Sequence, residues 1–326
     1  MKLLDYAIGL ASALVLTVAA SAVGYGQSGD YPDRPVTIIA DSAAGSSPDV
    51  ALRFFTDGLA KLWGQQVAVL NHPGANGSIA AHAASEASAD GYTLFACSSS
   101  TFLALPTVAP NLPVKLPRDF LAVGFIANQP MFLAVDPALG ITTLPQLIGR
   151  AKAQPGKLSI ALSGIGRMTH LTGILLQEQA HISLLPVPYT HGPAAAVTDI
   201  AAGRVSMIIE GYSGIIGAVN AGQVKLIATA SPTRLPEFPD LPTVAETIPG
   251  FAAAGWSIVV APVGTPASII SKVNTDMNRV ANDAAVKSRL AATGSYPLIM
   301  KPDELQAFVI KQQETWLPVL QGISTK

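Results

Sequence analysis

The sequence predicts an α/β protein with mostly parallel sheets. Short apolar segments of strand length alternate along the chain with segments whose apolar residues recur at helical spacing. This alternation is typical of βαβ units, in which a helix connects neighbouring parallel strands. The 28 glycines and 25 prolines concentrate between these segments and mark the turns.

The first third of the chain beyond residue 30 shows this alternation clearly. The segment 47–64 (SPDVALRFFTDGLAKLWG) is predicted to be a helix that ends at Gly64, and 77–87 (GSIAAHAASEA) a shorter helix. The predicted strands here are 34–40 (RPVTIIA), 65–71 (QQVAVLN) and 91–98 (GYTLFACS).

The middle of the chain repeats the alternation, and the last 60 or so residues are predicted to be mainly helical. The predicted strands of the middle are 131–136, 157–163, 184–189, 205–210 and 224–230. The predicted helices are 144–154, 168–180, 193–203, 266–294 and 301–320.

Composition narrows the function classes. The chain has 326 residues, of which 49% are hydrophobic and 13% charged, so it can bury a large core. Its net charge of -1 argues against a nucleic-acid partner, which requires a basic face. Its one cysteine, Cys97, rules out an internal disulfide and a cysteine metal cluster, and a lone cysteine in an apolar strand is typical of a core. We expect no cofactor and no metal.

The N-terminus has the pattern of a secretory signal. Lys2 precedes an apolar run from about Ala7 to Ala20, and Ala20-Ser21-Ala22 gives the small residues of a cleavage site. The run is shorter than the about 20 residues of a membrane span, which favours cleavage near Ala22 over an uncleaved anchor. We therefore expect an exported protein, with a signal peptide over residues 1–22.

A turn of small residues follows the first predicted strand. It runs from Ser42 to Asp49 (SAAGSSPD) and leads into a helix, whose first amides lack partners within the helix. In open α/β sheets ligands bind beyond the carboxyl ends of strands, and a helix start is suited to an anion. The alternative is that Ser46, Ser47 and Asp49 only cap the helix.

Two further strand ends resemble this turn. The segment from Ser163 to His170 (SGIGRMTH) again joins a strand to a helix through serine and glycine, and Ser98 to Thr101 (SSST) follow another strand. Three such strand ends predict a polar and weakly charged pocket. The glycine pattern at Gly164 and Gly166 is not a dinucleotide fingerprint, because Thr169 stands where the third glycine is required.

Motifs in a specific order over almost the whole chain beyond residue 30 resemble a known family. They are YPDRPVTII (31–39), GQQVAVLNHPGANG (64–77) with DGYTLF (90–95), TLPQLIGRAKAQPGKLSIALSGIG (143–166), VPYTHGPAAAVTDIAAGRV (187–205), PDLPTVAETIPGF (239–251) and PVGTP (262–266). In these motifs the chain is similar to the periplasmic solute-binding proteins of tripartite tricarboxylate transporters, the Bug receptors.

The resemblance implies a two-domain, periplasmic-binding-protein-like α/β fold with a ligand cleft between the domains. One domain would comprise residues 31–128 and 255–326, the other 129–254. The implied ligand is a small organic carboxylate, and the implied partners are the transporter's membrane subunits or a membrane sensor. We expect a monomer without enzymatic activity.

The resemblance also implies the residues of the cleft. Amides of the two turns would hold a carboxylate, with Tyr189 and Glu210 nearby. The predicted binding residues are Ser42, Ala43, Ala44, Gly45, Ser46, Ser47, Asp49, Ser98, Ser99, Ser100, Thr101, Ser163, Gly164, Gly166, Arg167, Thr169, His170, Tyr189 and Glu210.

Departures from the family pattern bear on the ligand. Phe102 and Leu105 stand at positions that are usually polar, and Thr190 stands where a basic residue is usual. If these residues line the cleft, an aromatic or long-chain carboxylate with an apolar body is favoured over citrate as the ligand. Arg167 has two interpretations: a bidentate partner of a ligand carboxylate, or a solvated arginine at the rim.

A secreted hydrolase is the alternative from another class. EGYSGII (210–216) approaches the G-x-S-x-G motif around Ser213, but Ile215 replaces the last glycine. The five histidines form no short metal-binding pattern, and nothing in the sequence shows that Glu210 and Asp49 meet as an acid–base pair.

Overall fold

The computed structural model of the chain describes residues 31–108, 115 and 118–323. The strands in this part of the chain are β1 (Val36–Ala40), β2 (Val67–Asn71), β3 (Thr93–Ser98), β4 (Phe120–Val135), β5 (Ser159–Leu162), β6 (Leu185–Pro188), β7 (Met207–Gly211), β8 (Lys225–Thr229) and β9 (Ala254–Pro262). The α-helices are α1 (Ser47–Trp63), α2 (Ser78–Ser85), α3 (Ser99–Leu103), α4 (Leu105–Val108), α5 (Leu144–Ala153), α6 (Met168–Ala180), α7 (Pro193–Ala201), α8 (Tyr212–Asn220), α9 (Ala267–Asn282), α10 (Ala284–Ala292) and α11 (Pro302–Ile323).

The strands form a mixed sheet in the order β2-β1-β3-β9-β4-β7-β5-β6, with β8 also paired to β4. The outer pairs are parallel: β1 with β2 and β3, and β5 with β6 and β7. The middle pairs, which involve β4, β8 and β9, are antiparallel. The predicted α/β class is confirmed, whereas the prediction of mostly parallel pairing holds only on the two sides of the sheet.

Strand β4 changes partners along its length. Its residues from Phe120 to Pro130 pair with β9, and those from Met131 onward pair with β7 and β8. The prediction captured only the last five of its 16 residues, since Gly124 and Pro130 interrupt the apolar pattern of the part that pairs with β9. The change of partner falls where the two segments 31–128 and 129–254 were predicted to meet. The domain boundaries themselves stay a prediction.

The antiparallel strand β9 and the helix α8 were missed. The strand contains Gly255 and follows a loop rich in proline and glycine, and the helix begins with Tyr212-Ser213-Gly214, which favours a turn. Both elements are fixed by tertiary packing: six of the nine residues of β9 are apolar and buried, including Trp256 and Ile258.

Large aromatic side chains fill the core beside the central strands. Phe95 and Phe120 pack at 5.5 Å between ring centroids, and Trp256 packs edge-on against Phe308 of α11 at 5.4 Å. The burial of each such side chain contributes about 1.5–3 kcal/mol to stability. The central strands are therefore held firmly, and the turns at their ends are built on a rigid base.

The helix ends differ from the predictions in two places. Ser46 occupies the N-cap position of α1, but its hydroxyl donates to the Ala43 carbonyl at 2.7 Å and does not cap the helix. The predicted helix 266–294 is two helices, because the Asp283 side chain accepts from the N–H groups of Ala285 and Val286 and starts α10 anew. The predicted end of α1 at Gly64 is confirmed.

The predicted signal segment 1–22 lies outside the described residues. Among the helices that the structure describes, none combines the length and the apolarity that a membrane crossing requires.

Candidate functional site

A partly enclosed cavity lies where several helices begin. Three helices of at least nine residues, α1, α6 and α7, start at its wall, and the short helix α3 starts there too. The cavity has a volume of about 70 Å³, and a polar cavity needs only about 10–15 Å³ to hold a water molecule. Because each helix N-terminus carries partial positive charge, this arrangement favours a small anionic guest.

The first turn is held by a carboxylate of its own helix. The Asp49 carboxylate accepts from the Gly45 N–H at 2.9 Å and from the Nε and Nη2 atoms of Arg53 at 2.9 and 3.1 Å. Asn71 at the end of β2 donates to Asp49 at 2.8 Å and to the Ser42 carbonyl at 3.0 Å. Asp49 therefore holds the first turn in place without lining the cavity itself.

The second turn is held in a similar way by neutral side chains. The Gly166 N–H donates to Nδ1 of His170 at 3.1 Å, and the Ser163 N–H donates to the Thr169 hydroxyl at 2.9 Å. Burial lowers the pKa of His170, which keeps the imidazole neutral and able to accept this hydrogen bond. Gly166 has φ of +80°, and a Cβ there would lie 3.3 Å from Asn76, so this position requires glycine.

Arg167 reaches across from the second turn to the end of β1. Its Nη2 donates to the Asp41 carbonyl at 2.7 Å, and its Nη1 donates to the Ser98 hydroxyl at 2.9 Å and lies 3.4 Å from the Asp41 carboxylate. The arginine side chain is only 13% exposed and the aspartate side chain 1%. The prediction of a solvated arginine at the rim is therefore wrong, and the guanidinium already has an anionic partner.

Asp41 is the charged residue that sequence reasoning missed. Its carboxylate accepts from the Ser98 N–H at 3.1 Å, from the Ser98 hydroxyl at 2.8 Å and from the Thr101 hydroxyl. The available signal was an acid placed directly after the apolar strand β1, in a turn otherwise read for its serines and glycines. This one carboxylate joins the first, second and third strand ends.

Serine side chains make further contacts between the turns. The Met168 N–H at the start of α6 donates to the Ser100 hydroxyl at 3.1 Å, and the Gly214 N–H in α8 donates to the Ser47 hydroxyl at 3.0 Å. Thus two of the serines expected to face a ligand also bind main-chain amides of residues 129–254.

Residues 51–324 match the sequence model of the family described as "Tripartite tricarboxylate transporter family receptor". The chain belongs to this family. It is a solute-binding receptor, as the resemblance implied. Protein BugT of Bordetella pertussis is 34% identical over 298 residues, which cover 91% of each chain.

Solved structures of similar proteins agree with the receptor family. A Rhodopseudomonas palustris protein solved with adipate superposes with a TM-score of 0.86 at 29% identity, covering 90% of this chain and 98% of that one. MatC of Rhodopseudomonas palustris, solved with bound malate, gives a TM-score of 0.81 at 27% identity and covers 89% and 100%. The predicted periplasmic-binding-protein-like fold is thereby confirmed.

The cavity of this receptor brings together 11 of the 19 predicted binding residues. Those that line it are Ser42, Ala43, Ser46, Ser47, Ser98, Ser99, Ser100, Ser163, Arg167, Thr169 and Glu210. Those that lie outside its wall are Ala44, Gly45, Asp49, Thr101, Gly164, Gly166, His170 and Tyr189. Several of the outer group shape the turns, as described for Gly166 and His170.

Further wall residues were not predicted. They are Pro48, Pro73, Gln129, Met131, Met168, Gly192, Pro193, Gly255 and Trp256. Thr190, one of the three departures from the family pattern, also lines the cavity, as that interpretation required. Phe102 and Leu105, on which an apolar cleft was argued, are buried and do not line the cavity. The apolar part of the wall comes instead from methionine, proline and tryptophan. Pro48 and Met168 belong to the two turns, whereas Pro73, Met131, Pro193 and Trp256 lie outside the turn motifs.

Tyr189 is directed to another part of the receptor. Its hydroxyl donates to the Asp199 carboxylate at 2.5 Å, and Asp199 also pairs with Arg204. Burial, together with the hydrogen bond to Asp199, raises the pKa of Tyr189 to about 12.

Glu210 is the acid of the cavity wall. It is 5% exposed, and its Oε1 accepts from the Gly211 N–H at 3.0 Å. Burial raises the pKa of Glu210 to about 7, although the Gly211 N–H and the charge of Arg167 act in the opposite direction.

Among the described residues, the nucleophile motif and the acid–base pair considered for a hydrolase are not assembled. Ser213, the serine of the approximate nucleophile motif, has a buried hydroxyl with no hydrogen-bond partner there. Asp49 is engaged with Arg53 and Asn71 and does not line the cavity with Glu210. Within those same residues no cluster of three histidine, cysteine, aspartate or glutamate side chains is positioned to hold a metal ion.

Proposed function

We propose that this receptor captures a small organic carboxylate in the cavity at the helix starts, without chemical change, for uptake by the membrane subunits of a tripartite tricarboxylate transporter. The single observation that carries the proposal is that the N-termini of α1, α6 and α7 all meet the wall of one partly enclosed cavity. These three helix starts compensate negative charge in a cavity whose lining arginine, Arg167, is already paired with Asp41.

Donors for a carboxylate remain at two of these helix starts. The N–H groups of Gly45 and Gly166 are used within their turns, as are those of Ser46 and Ser163. By contrast, no acceptor within the described residues contacts the N–H groups of Ser47 and Thr169, both of which belong to residues of the cavity wall. We propose that these two N–H groups and neighbouring hydroxyls bind one carboxylate of the ligand.

The energies are sufficient for micromolar binding. A dissociation constant of about 1 μM corresponds to about -8 kcal/mol. Helix N-termini contribute about 0.3–1 kcal/mol each, and hydrogen bonds to a charged group about 1.5–3 kcal/mol each. Burial of an apolar ligand body against Met131, Met168 and Trp256 adds to these terms, so we propose a carboxylate with an apolar chain or ring.

We also propose a cellular location and an oligomeric state. We propose that the mature protein acts in the periplasm as a monomer after cleavage near Ala22. Intact-mass measurement of the exported protein tests the cleavage, since a mass that begins at Met1 contradicts it.

A thermal-shift screen followed by calorimetry tests the ligand class. Adipate, malate, citrate and benzoate are added to the mature protein, and a ligand at about 100 times its dissociation constant adds about 2.7 kcal/mol of stability. We expect an acid with an apolar body to give the largest shift and to be recovered unchanged. No shift with any carboxylic acid, or turnover of the bound acid, contradicts the proposal.

A matched pair of variants locates the binding. Thr190 and Thr198 are both exposed, but only Thr190 lines the cavity. Thr190→Asp places a negative charge at the site and is expected to weaken carboxylate binding at least about tenfold, whereas Thr198→Asp leaves it unchanged. Equal affinities of the two variants would place the ligand elsewhere.

A further inference from the structure

The buried carboxyl group of Glu210, in the cavity wall, receives almost no hydrogen bonds from the rest of the protein. Glu210 lies in β7, is only 5% exposed, and forms part of the cavity wall. Among the described residues, the Gly211 N–H is the one donor that contacts its carboxyl group, through Oε1. An ionised carboxylate that is buried in this way is poorly compensated.

The elements packed around Glu210 bring one charged group toward it. Phe132 is its cross-strand neighbour on β4, and Gly214 of α8 lies beside its side chain, with Pro193 of α7 next to Gly214. Ser47 of α1 is uncharged, and its hydroxyl accepts from the Gly214 N–H. The charge that acts on Glu210 is that of Arg167, at the start of α6.

That positive charge is already neutralised. Arg167 is bound to the carbonyl and carboxylate of Asp41 and to Ser98. With Glu210 ionised, the three charged side chains Asp41, Arg167 and Glu210 therefore sum to -1 before any ligand enters. A carboxylate ligand adds negative charge in the same small cavity and makes ionisation of Glu210 still less favourable.

We infer that Glu210 is a specificity-determining residue that meets the bound carboxylate as a neutral carboxylic acid, so that ligand binding takes up one proton from solvent. The inference rests on the proposed function. The Glu210 carboxylate accepts the proton, and the resulting O–H donates a hydrogen bond to an oxygen of the ligand carboxylate. No covalent bond of the ligand changes. Such a pocket selects for an anionic group at this position, whereas an ammonium group would require Glu210 to be ionised.

This coupling gives a defined pH dependence. Because burial raises the pKa of Glu210 to about 7, this side chain is mainly protonated at pH 6 and mainly ionised at pH 8.5 in the ligand-free protein. Above pH 7, where aliphatic acids are fully ionised, uptake of one proton weakens binding by up to about tenfold per pH unit. Below about pH 6 the affinity is expected to level off.

Calorimetry of the mature protein with adipate and with malate tests the inference. Titrations at pH 8 in buffers of different ionisation enthalpy give the number of protons taken up, which is expected to be near one. In Glu210→Gln the amide permanently supplies a donor, so uptake is expected to fall to near zero and the affinity to become independent of pH. At pH 8.5 this variant should bind about tenfold or more tightly than the wild type.

The control is Glu178→Gln, which changes an exposed glutamate of α6 and should retain wild-type proton uptake. Thermal melts show that each variant is folded. Tight adipate or malate binding without proton uptake overturns the inference alone, as does a Glu210→Gln protein that is folded and binds more weakly at every pH. Absence of binding by every acid of the screen, at pH 6 as at pH 8, refutes the proposed function and the inference with it.

Discussion

The first turn (Ser42–Asp49) and the second turn (Ser163–His170) use the same local device with different chemistry. In each, a side chain in the first turn of the helix accepts the N–H of a glycine four residues earlier: Asp49 from Gly45, and His170 from Gly166. Asp49 is an anion that is also bound by Arg53, whereas His170 is a neutral ring. The first turn is therefore stabilised by a charged pair, Asp49 and Arg53, that belongs to the helix following it.

The second turn depends on the opposite side of the cavity. Its arginine is bound to Asp41 and Ser98, and the N–H that follows it is bound to Ser100. Two turns with similar sequences are thus held differently: the first mainly through Asp49 of its own helix, and the second mainly through side chains that follow β1 and β3.

The largest effect is expected for Asp41→Ala. It leaves Arg167, whose side chain is 13% exposed, without its anionic partner and removes the acceptor for Ser98 and Thr101. Loss of one partner of a buried pair costs about 3–5 kcal/mol. Urea denaturation measures the loss. The control Asp90→Ala removes an exposed partner of Arg34 and is expected to cost less than about 1 kcal/mol. Equal losses for the two variants would show that Asp41 does not join the turns.

Asp49→Ala is expected to cost about 2–3 kcal/mol, because hydrogen bonds from Gly45 and Asn71 to a buried carboxylate are lost while the exposed Arg53 regains water. The same denaturation experiment measures it. If the first turn is braced independently, a double variant with Arg167→Ala shows additive losses. A coupling energy above about 0.5 kcal/mol would contradict this independence.

His170→Ala is expected to cost only about 1 kcal/mol, the typical contribution of a neutral hydrogen bond. The effect depends on pH, since burial lowers the pKa of His170 below its ordinary value of about 6.5. A lowered histidine pKa means that the unfolded chain takes up the proton first. The stability is therefore present above about pH 6.5 and is lost as the pH falls from there through the folded-state pKa.

Denaturation of the wild type and of His170→Ala at pH 7.5 and pH 5.5 isolates this contribution. The difference between the two proteins is expected to shrink at the lower pH. An unchanged difference would mean that the ring does not accept the Gly166 N–H as a neutral group.

The smallest expected effect is the difference in stability between Gly45→Ala and Gly166→Ala. Both glycines have a φ between +76° and +80°, so each change costs about 1–2 kcal/mol of backbone strain. A Cβ at Gly45 has nothing within 4 Å, whereas one at Gly166 lies 3.3 Å from Asn76. Gly166→Ala is expected to cost about 0.5 kcal/mol more, since Asn76 must move. A larger loss at Gly45 in thermal melts would reverse the comparison.

The local features of this receptor were predictable from its sequence. Strand and helix segments around both turns were predicted nearly to their observed ends, because apolar periodicity, Pro48 and Gly64 act over neighbouring residues. The order of motifs identified the receptor family, and 11 predicted residues line the cavity.

Which side chains face the cavity and which support its turns depends on contacts between distant segments of the folded chain. Asp41 and Arg167 are 126 residues apart, and the pairing of β9 with β3 joins segments still more distant. No local pattern encodes such contacts, because they are fixed when strands select their neighbours and registers through packing. For the same reason the sequence marked Glu210 as a candidate, whereas its buried position with few donors emerged only from the folded chain.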